Sequence, residues 1–320
     1  MKTYYITTPI YYVNARPHLG HAYSTIVADT LKRFHRMLGE DARMQTGTDE
    51  HGDKIVKAAT AAGVTPQAFV DDISGVFRNL WPKLGIENDG FIRTTDPDHM
   101  KAVQVLLQRL YDKGDIYFGE YGGHYCYGCE RFYTEKELEN GLCPQHLTKP
   151  EYISEKNYFF KMSKYQDQLR QYILDHPDFI RPETRRNEIV SFVERGLKDL
   201  SISRSTFDWG IPLPFDEGHV AYVWADALLA YLTGIGYGDE GERAGEFDQR
   251  WPMQYHFVGK DITRFHCVIW PAMLMAAGLP VTHTVFGHGF LLTKGEKMSK
   301  SKGNGIMPAD LIKIFGVDAY

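Results

Sequence analysis

Thr3-Tyr4-Tyr5-Ile6-Thr7, followed by Pro17-His18-Leu19-Gly20-His21 and an apolar run at helical spacing, decides the fold class of this 320-residue chain. The first five residues read as a short buried strand, and Pro9, Asn14 and Pro17 mark a turn. Leu19, Ala22, Tyr23, Ile26, Val27, Thr30, Leu31, Phe34, Met37 and Leu38 then recur at helical spacing until Gly39 stops the pattern. The histidine pair therefore falls where a strand hands over to a helix. The N–H groups and dipole of a helix N-terminus favour phosphate there, and Gly20 lets a ligand approach the backbone. Arg43-Met44-Gln45-Thr46 repeats the arrangement, running into Thr48-Asp49-Glu50-His51-Gly52 and a second helical pattern. Polar residues at the carboxyl ends of strands predict an α/β sheet with its site along that edge.

A second basic motif, Lys297-Met298-Ser299-Lys300-Ser301, stands near the other end of the sequence. Each motif offers two cationic or hydrogen-donating side chains beside small residues, as needed to hold a triphosphate while one phosphorus changes partners. Together they point to adenylate-forming chemistry. Singly, a histidine in such a turn reads equally as a helix cap, and a Lys/Ser run as a solvated segment.

Composition narrows the class further. With 43% apolar and 24% charged residues the chain builds a large core and more than one lobe. No N-terminal apolar signal and no run of about 20 apolar residues is present, which predicts a cytoplasmic protein without a membrane partner. A net charge of −5 argues against DNA and confines any RNA contact to a local patch.

Three of the four cysteines lie between positions 126 and 143. Cys126-x2-Cys129-x13-Cys143-x2-His146 brings two close pairs together across a loop, a spacing that places four ligands tetrahedrally around Zn2+. Four protein ligands leave no open coordination position, so the zinc is expected to be structural. Cys267, in the apolar Phe265–Trp270 stretch, reads as core.

At this point the motifs identify a family. The chain resembles the catalytic part of class I methionyl-tRNA synthetases from Thr7 to Tyr320, through Pro9-Ile10-Tyr11-Tyr12-Val13-Asn14, the His18–His21 signature, Thr48 to Gly52 and Cys126 to His146. Tyr222-Val223-Trp224-Ala225-Asp226-Ala227, Gly259-Lys260-Asp261-Ile262 and the lysine motif complete the match. The signature reads His-Leu-Gly-His here, with Leu19 in the place of the class isoleucine, and Leu228 stands where the family pattern more commonly has proline.

The resemblance implies a Rossmann-like, doubly wound parallel sheet split by an inserted connective lobe. Residues 1–114 and 219–320 would form the two halves of the nucleotide-binding domain, and 115–218 the lobe, with its zinc knuckle at 126–146. It implies that L-methionine is activated by ATP and Mg2+ to methionyl-adenylate and then passed to tRNA(Met). Because the family's anticodon-binding domain lies beyond Tyr320, this chain should support mainly the activation step. His18, His21, Lys297 and Lys300 would stabilise charge moving toward pyrophosphate, with Gly20, Gly259 and Asp261 completing the ATP site. Asp49 would hold the substrate ammonium, and Ile10, Tyr12, Trp224, Ala227, Leu228, Tyr231, Ile262 and His266 would wall a thioether pocket. Read without the resemblance, Trp224, Ala227, Leu228 and Tyr231 form one helical face of the kind that packs a core. Two rival readings are a class I synthetase for another aliphatic amino acid and a zinc-knuckle RNA-binding or scaffold fragment. The interval 115–218 is short for an editing domain of the first, and paired phosphate donors are superfluous in the second.

Overall fold

The computed structural model describes residues 1–129, 131–241, 243–293, 296–297 and 306–320. The first half runs β1 (Thr3–Tyr12), α1 (Leu19–Met37), β2 (Asp41–Asp49), α2 (Asp53–Ala62), α3 (Pro66–Leu80), β3 (Gly90–Arg93) and α4 (Pro97–Asp112). A middle region follows with β4 (Ile116–Cys126), β5 (Arg131–Tyr133), β6 (Glu151–Phe160), α5 (Gln166–Asp175), β7 (Ile180–Arg181), α6 (Glu183–Glu194), β8 (Leu200–Ser201) and β9 (Ser203–Arg204). The last third holds β10 (Pro212–Leu213), β11 (Asp216–Ala221), α7 (Val223–Ala227), α8 (Ala230–Thr233), α9 (Glu246–Arg250), β12 (Tyr255–Gly259), α10 (Trp270–Ala277), β13 (Thr284–His288), β14 (Leu292–Thr293), β15 (Glu296–Lys297) and α11 (Pro308–Phe315).

Six strands form a parallel sheet in the order β3-β2-β1-β12-β13-β7. Chain order reverses between β1 and β12, so the crevice beyond their carboxyl ends is the switch point at which such folds bind ligands. Pairing of Thr7 with His256 aligns the two strands so that the turns after both open on the same edge. A separate antiparallel sheet, β5-β4-β6-β8, carries the cysteine-rich turn at one end of the long β4–β6 pair. The middle region is not wholly detached: β7 returns from it to pair with β13 at the border of the main sheet.

The buried face of α1 differs from its apolar pattern. Ala22, Ser24, Thr25, Ala28, Asp29 and Lys32 face inward, whereas Phe34, Met37 and Leu38 are exposed. Polar burial is tolerated because each group is paired: Lys32 with Asp29 and the Glu87 carbonyl, and Thr25 with the His21 carbonyl and Tyr11. Among the described residues no helix is long and apolar enough to cross a membrane.

Candidate active site and metal centre

The sheet edge is built from the ends of four strands. After β1, His18 becomes the N-cap of α1, in an extended conformation that frees its ring to fold over the first turn. The Gly20 N–H donates to His18 Nδ1 at 3.1 Å, and the His18 N–H donates to His21 Nδ1 at 3.1 Å, a reciprocal cap in which both rings accept. Because each Nδ1 accepts, each neutral ring carries its proton on Nε2. The rings stack with centroids 3.8 Å apart, so both histidines are held as one unit presenting Nε2–H donors. Capping thus fixes the tautomer that leaves an Nε2–H donor on each ring. Gly20 has a reason beyond ligand approach, since a Cβ there would stand 3.0 Å from the His18 ring.

Two contacts draw the far end of the chain onto this helix terminus. The Leu19 N–H donates to the Ile306 carbonyl at 3.1 Å. At the end of β13, His288 Nδ1 lies 2.8 Å from the Gly289 carbonyl, which only accepts; Nε2 therefore accepts the Ser24 hydroxyl at 2.9 Å. Burial holds this imidazole below the usual histidine range, in keeping with the neutral form. Lys297 ends β15, its backbone opposite Leu292 of β14, while Lys300, with Met298, Ser299 and Ser301, lies outside the described residues. Gly259 closes β12, and a Cβ on it would stand 2.6 Å from Oδ1 of Asp261 in the short turn that follows.

Asp49 sits buried at the end of β2, opposite Tyr12 of β1. Its charge, with burial as the larger cause, holds the Tyr231 phenol well above its ordinary range, and the Ile10 N–H donates to that phenol oxygen. The phenol in turn donates to His266 Nε2 at 2.7 Å, because His266 Nδ1 is committed to the Ile262 carbonyl at 3.0 Å. Burial brings the His266 imidazole down to about 4, so it is neutral. Trp224 stands edge-on to His266 at 6.5 Å and stacks on Phe265 at 3.7 Å. Tyr12 joins through its hydroxyl, which donates to the His51 carbonyl at 3.0 Å. Ala227 and Leu228 are buried where α7 gives way to α8; the break at Leu228–Leu229 means that the expected single helical face is two short helices. A π turn over Phe265–Ile269 precedes α10, and His266 within it is buried.

The Asp49 loop is locked from outside by residues the sequence reading did not assign. Glu50 is fully buried and receives a bidentate Arg93 guanidinium at 2.8 and 2.8 Å, together with the Thr48 and Thr95 hydroxyls. The Trp209 indole donates to the Glu50 carbonyl, and the Gly52 N–H to the Trp209 carbonyl. An acidic residue beside a candidate ligand anchor and an arginine at the end of the next strand were the available signals.

Beyond the sheet, the four ligand atoms of Cys126, Cys129, Cys143 and His146 all lie within 4.8 Å of one another. Cys129 Sγ is 3.5 Å from Cys143 Sγ and 3.2 Å from His146 Nδ1, while Cys126 and Cys143 are 3.9 and 3.8 Å from the same nitrogen. Ligands about 2.0–2.3 Å from a tetrahedral zinc stand roughly 3.3–3.8 Å apart, so the set fits the ion. Burial opposes ionisation of Cys143, but the backbone N–H groups of His146 and Gln145 and the His146 ring outweigh it and bring the thiol down to about 6. The knuckle rests on α2: Lys54 Nζ donates to the Gly128 carbonyl at 2.5 Å, and Lys57 lies over the Tyr127 ring.

A switch-point crevice with a histidine-capped helix defines an α/β protein of the Rossmann-like class, here joined to a candidate metal knuckle. The family model described as tRNA synthetases class I (M) matches residues 4–151 and 136–320, and the chain belongs to this family. It is 53% identical to the methionine–tRNA ligase of Streptomyces coelicolor, covering 100% of this chain and 60% of that protein. Against the methionine–tRNA ligase of Clostridium acetobutylicum the identity is 54%, covering 99% and 49%. The chain spans about half the length of the curated relatives it matches. Among solved structures, Mycobacterium tuberculosis methionyl-tRNA synthetase in complex with methionyl-adenylate superposes with a TM-score of 0.94 at 49% identity, over 99% of this chain and 63% of that one. The apo form of the same enzyme gives 0.83 at 43% identity, over 99% and 60%.

Proposed function

We propose that this chain is the catalytic portion of a methionine–tRNA ligase, condensing L-methionine with MgATP to methionyl-adenylate and then passing the methionyl group to tRNA(Met). The observation that carries this reading is the convergence on one sheet edge. The His18–His21 cap, the segments on both sides of the lysine motif and the Asp49–Tyr231–His266 cluster all border the β1–β12 crevice. Similarity to a structure in complex with methionyl-adenylate supports the same substrate pair.

In activation, a methionine carboxylate oxygen bonds to the α-phosphorus of ATP as the α–β bridging P–O bond breaks, and pyrophosphate leaves with the electron pair. The nucleophile is already ionised, so the protein's task is alignment and charge stabilisation. His18 and His21 supply Nε2–H donors to the phosphates, and Lys297 and Lys300 add positive charge. Gly20, Gly259 and Asp261 accommodate the nucleotide, and Mg2+ enters with ATP. Asp49 pairs with the substrate ammonium, while Ile10, Tyr12, Trp224, Ala227, Leu228, Tyr231, Ile262 and His266 enclose the thioether by dispersion and sulfur–aromatic contact. Cys126, Cys129, Cys143 and His146 hold a structural Zn2+. Residues 1–114 and 219–320 act as the two nucleotide-binding halves, with 115–218 as the connective lobe, in a cytoplasmic enzyme. An ATP–pyrophosphate exchange assay across amino acids tests this: methionine should stimulate exchange, and stimulation by valine or leucine instead of methionine overturns it.

A further inference from the structure

One buried carboxylate joins the two motifs that carry the amino-acid pocket. Asp226, on α7 between Trp224 and Ala227, is fully buried, and each of its oxygens meets a histidine. Oδ2 lies 2.7 Å from Nδ1 of His51, two residues beyond Asp49; Oδ1 lies 2.7 Å from Nε2 of His99 on α4. The other nitrogen of His99 is 2.9 Å from the Thr233 hydroxyl on α8. An ionised carboxylate only accepts, so both imidazoles donate to it, and the Asp49 loop, α4, α7 and α8 are fastened to one group.

We propose that Asp226 and His51 are positioning residues that set the separation between the anion receiving the substrate ammonium and the wall receiving its side chain, and so control amino-acid affinity and selection. The linkage is short and rigid. The His51 carbonyl accepts the Tyr12 hydroxyl and its ring stands edge-on to Trp209, so a change of side-chain rotamer would break two contacts, with Trp209 and with Asp226. Burial alone would raise the Asp226 carboxyl, but the two imidazoles outweigh it and hold the group below the usual range, in keeping with a permanently charged clasp. The nucleotide groups His18, His21 and Gly259 stand on other elements and make none of these contacts. A fault in the clasp should therefore be felt for the amino acid and not for ATP.

This inference rests on the proposed methionine site, and the two fail in different ways. In the zinc-loaded chain, His51→Phe and Asp226→Asn should raise the methionine KM in pyrophosphate exchange at least tenfold, with the ATP KM held within about twofold. Discrimination against leucine should fall alongside. His51→Asn, whose amide nitrogen can stand where Nδ1 does, should recover most of the affinity. Methionine binding followed by tryptophan fluorescence, with no ATP present, gives the same comparison independently of turnover. If the unaltered chain shows no methionine-dependent exchange, the functional reading falls. If it does, and a folded His51→Phe or Asp226→Asn keeps the parent methionine KM or loses both affinities equally, the positioning role is overturned. Should His51→Phe and Asp226→Asn not fold, His51→Asn decides: near-parent affinity supports the clasp, and a tenfold loss despite the retained donor refutes it.

Discussion

The sheet edge and the knuckle are both clusters of polar side chains, yet they are held in opposite ways. At the edge, main-chain groups and buried partners fix the described polar side chains: two imidazoles by a helix cap, Glu50 by an arginine, Tyr231 by His266. In the knuckle, among the described residues, the buried apolar cluster is Cys126, Tyr133 and Cys143 with Cys129 and Leu138 packed against it, and the four candidate ligand atoms lie within 4.8 Å of one another. A site fixed by a large core is organised before its ligand arrives. A site with little core takes its order from the ion it binds.

The largest effect separating the two belongs to the edge. His21→Ala should slow methionine-dependent exchange by about 10²–10³-fold, the scale at which loss of one charge-stabilising donor is felt. It should also lower stability by about 1 kcal/mol, since the same ring accepts the cap hydrogen bond. His21→Gln can still cap and should restore the melting temperature while recovering little turnover. A His21→Ala chain with parent exchange rates would dissolve the idea that capping serves catalysis. Zinc removal probes the other side. A strong chelator should release one zinc per chain and abolish knuckle order, seen as lost amide protection over 126–146, while β1, β2, β12 and β13 stay protected. Uniform loss of protection across both regions would show that the ion supports the whole fold.

How far these arrangements were visible in the sequence follows from how local their physics is. The strand–histidine–helix junction and the Cys-x2-Cys…Cys-x2-His spacing are local patterns, and both the parallel sheet and the four-atom cluster are where those patterns placed them. The buried stripe of α1 was illegible, because Asp29 and Lys32 are inward only by virtue of pairing with each other and with the Glu87 carbonyl. The two-residue β7 gives no periodicity to read, and its place beside β13 is set by tertiary packing. The π turn at Phe265–Ile269 lies in an apolar run whose pattern is indifferent to one extra residue. Asp226 lay inside a motif that was noticed, but its meaning depends on His99, 127 positions away.

The smallest expected effect tests whether the two regions are independent. Lys54 stands on the first turn of α2, directly after the Asp49–Gly52 loop; its ammonium donates to the Gly128 carbonyl between two of the candidate ligands and lies 5.4 Å from the Tyr12 ring centroid. Lys54→Met keeps the length of the stem and removes the charged donor. A partly buried hydrogen bond from a charged group contributes about 1–2 kcal/mol, so metal affinity should weaken by roughly tenfold. The methionine KM should move less than threefold, because the neighbours of Asp49 are fastened on the side away from the knuckle, Glu50 by Arg93 and His51 by Asp226. Zinc affinity measured by competition with a chromogenic chelator, alongside the methionine KM, reads both ends of the contact. A larger shift in KM than in metal affinity would mean that the knuckle helps to shape the amino-acid site, and the contrast between a self-ordered edge and an ion-ordered knuckle would have to be withdrawn.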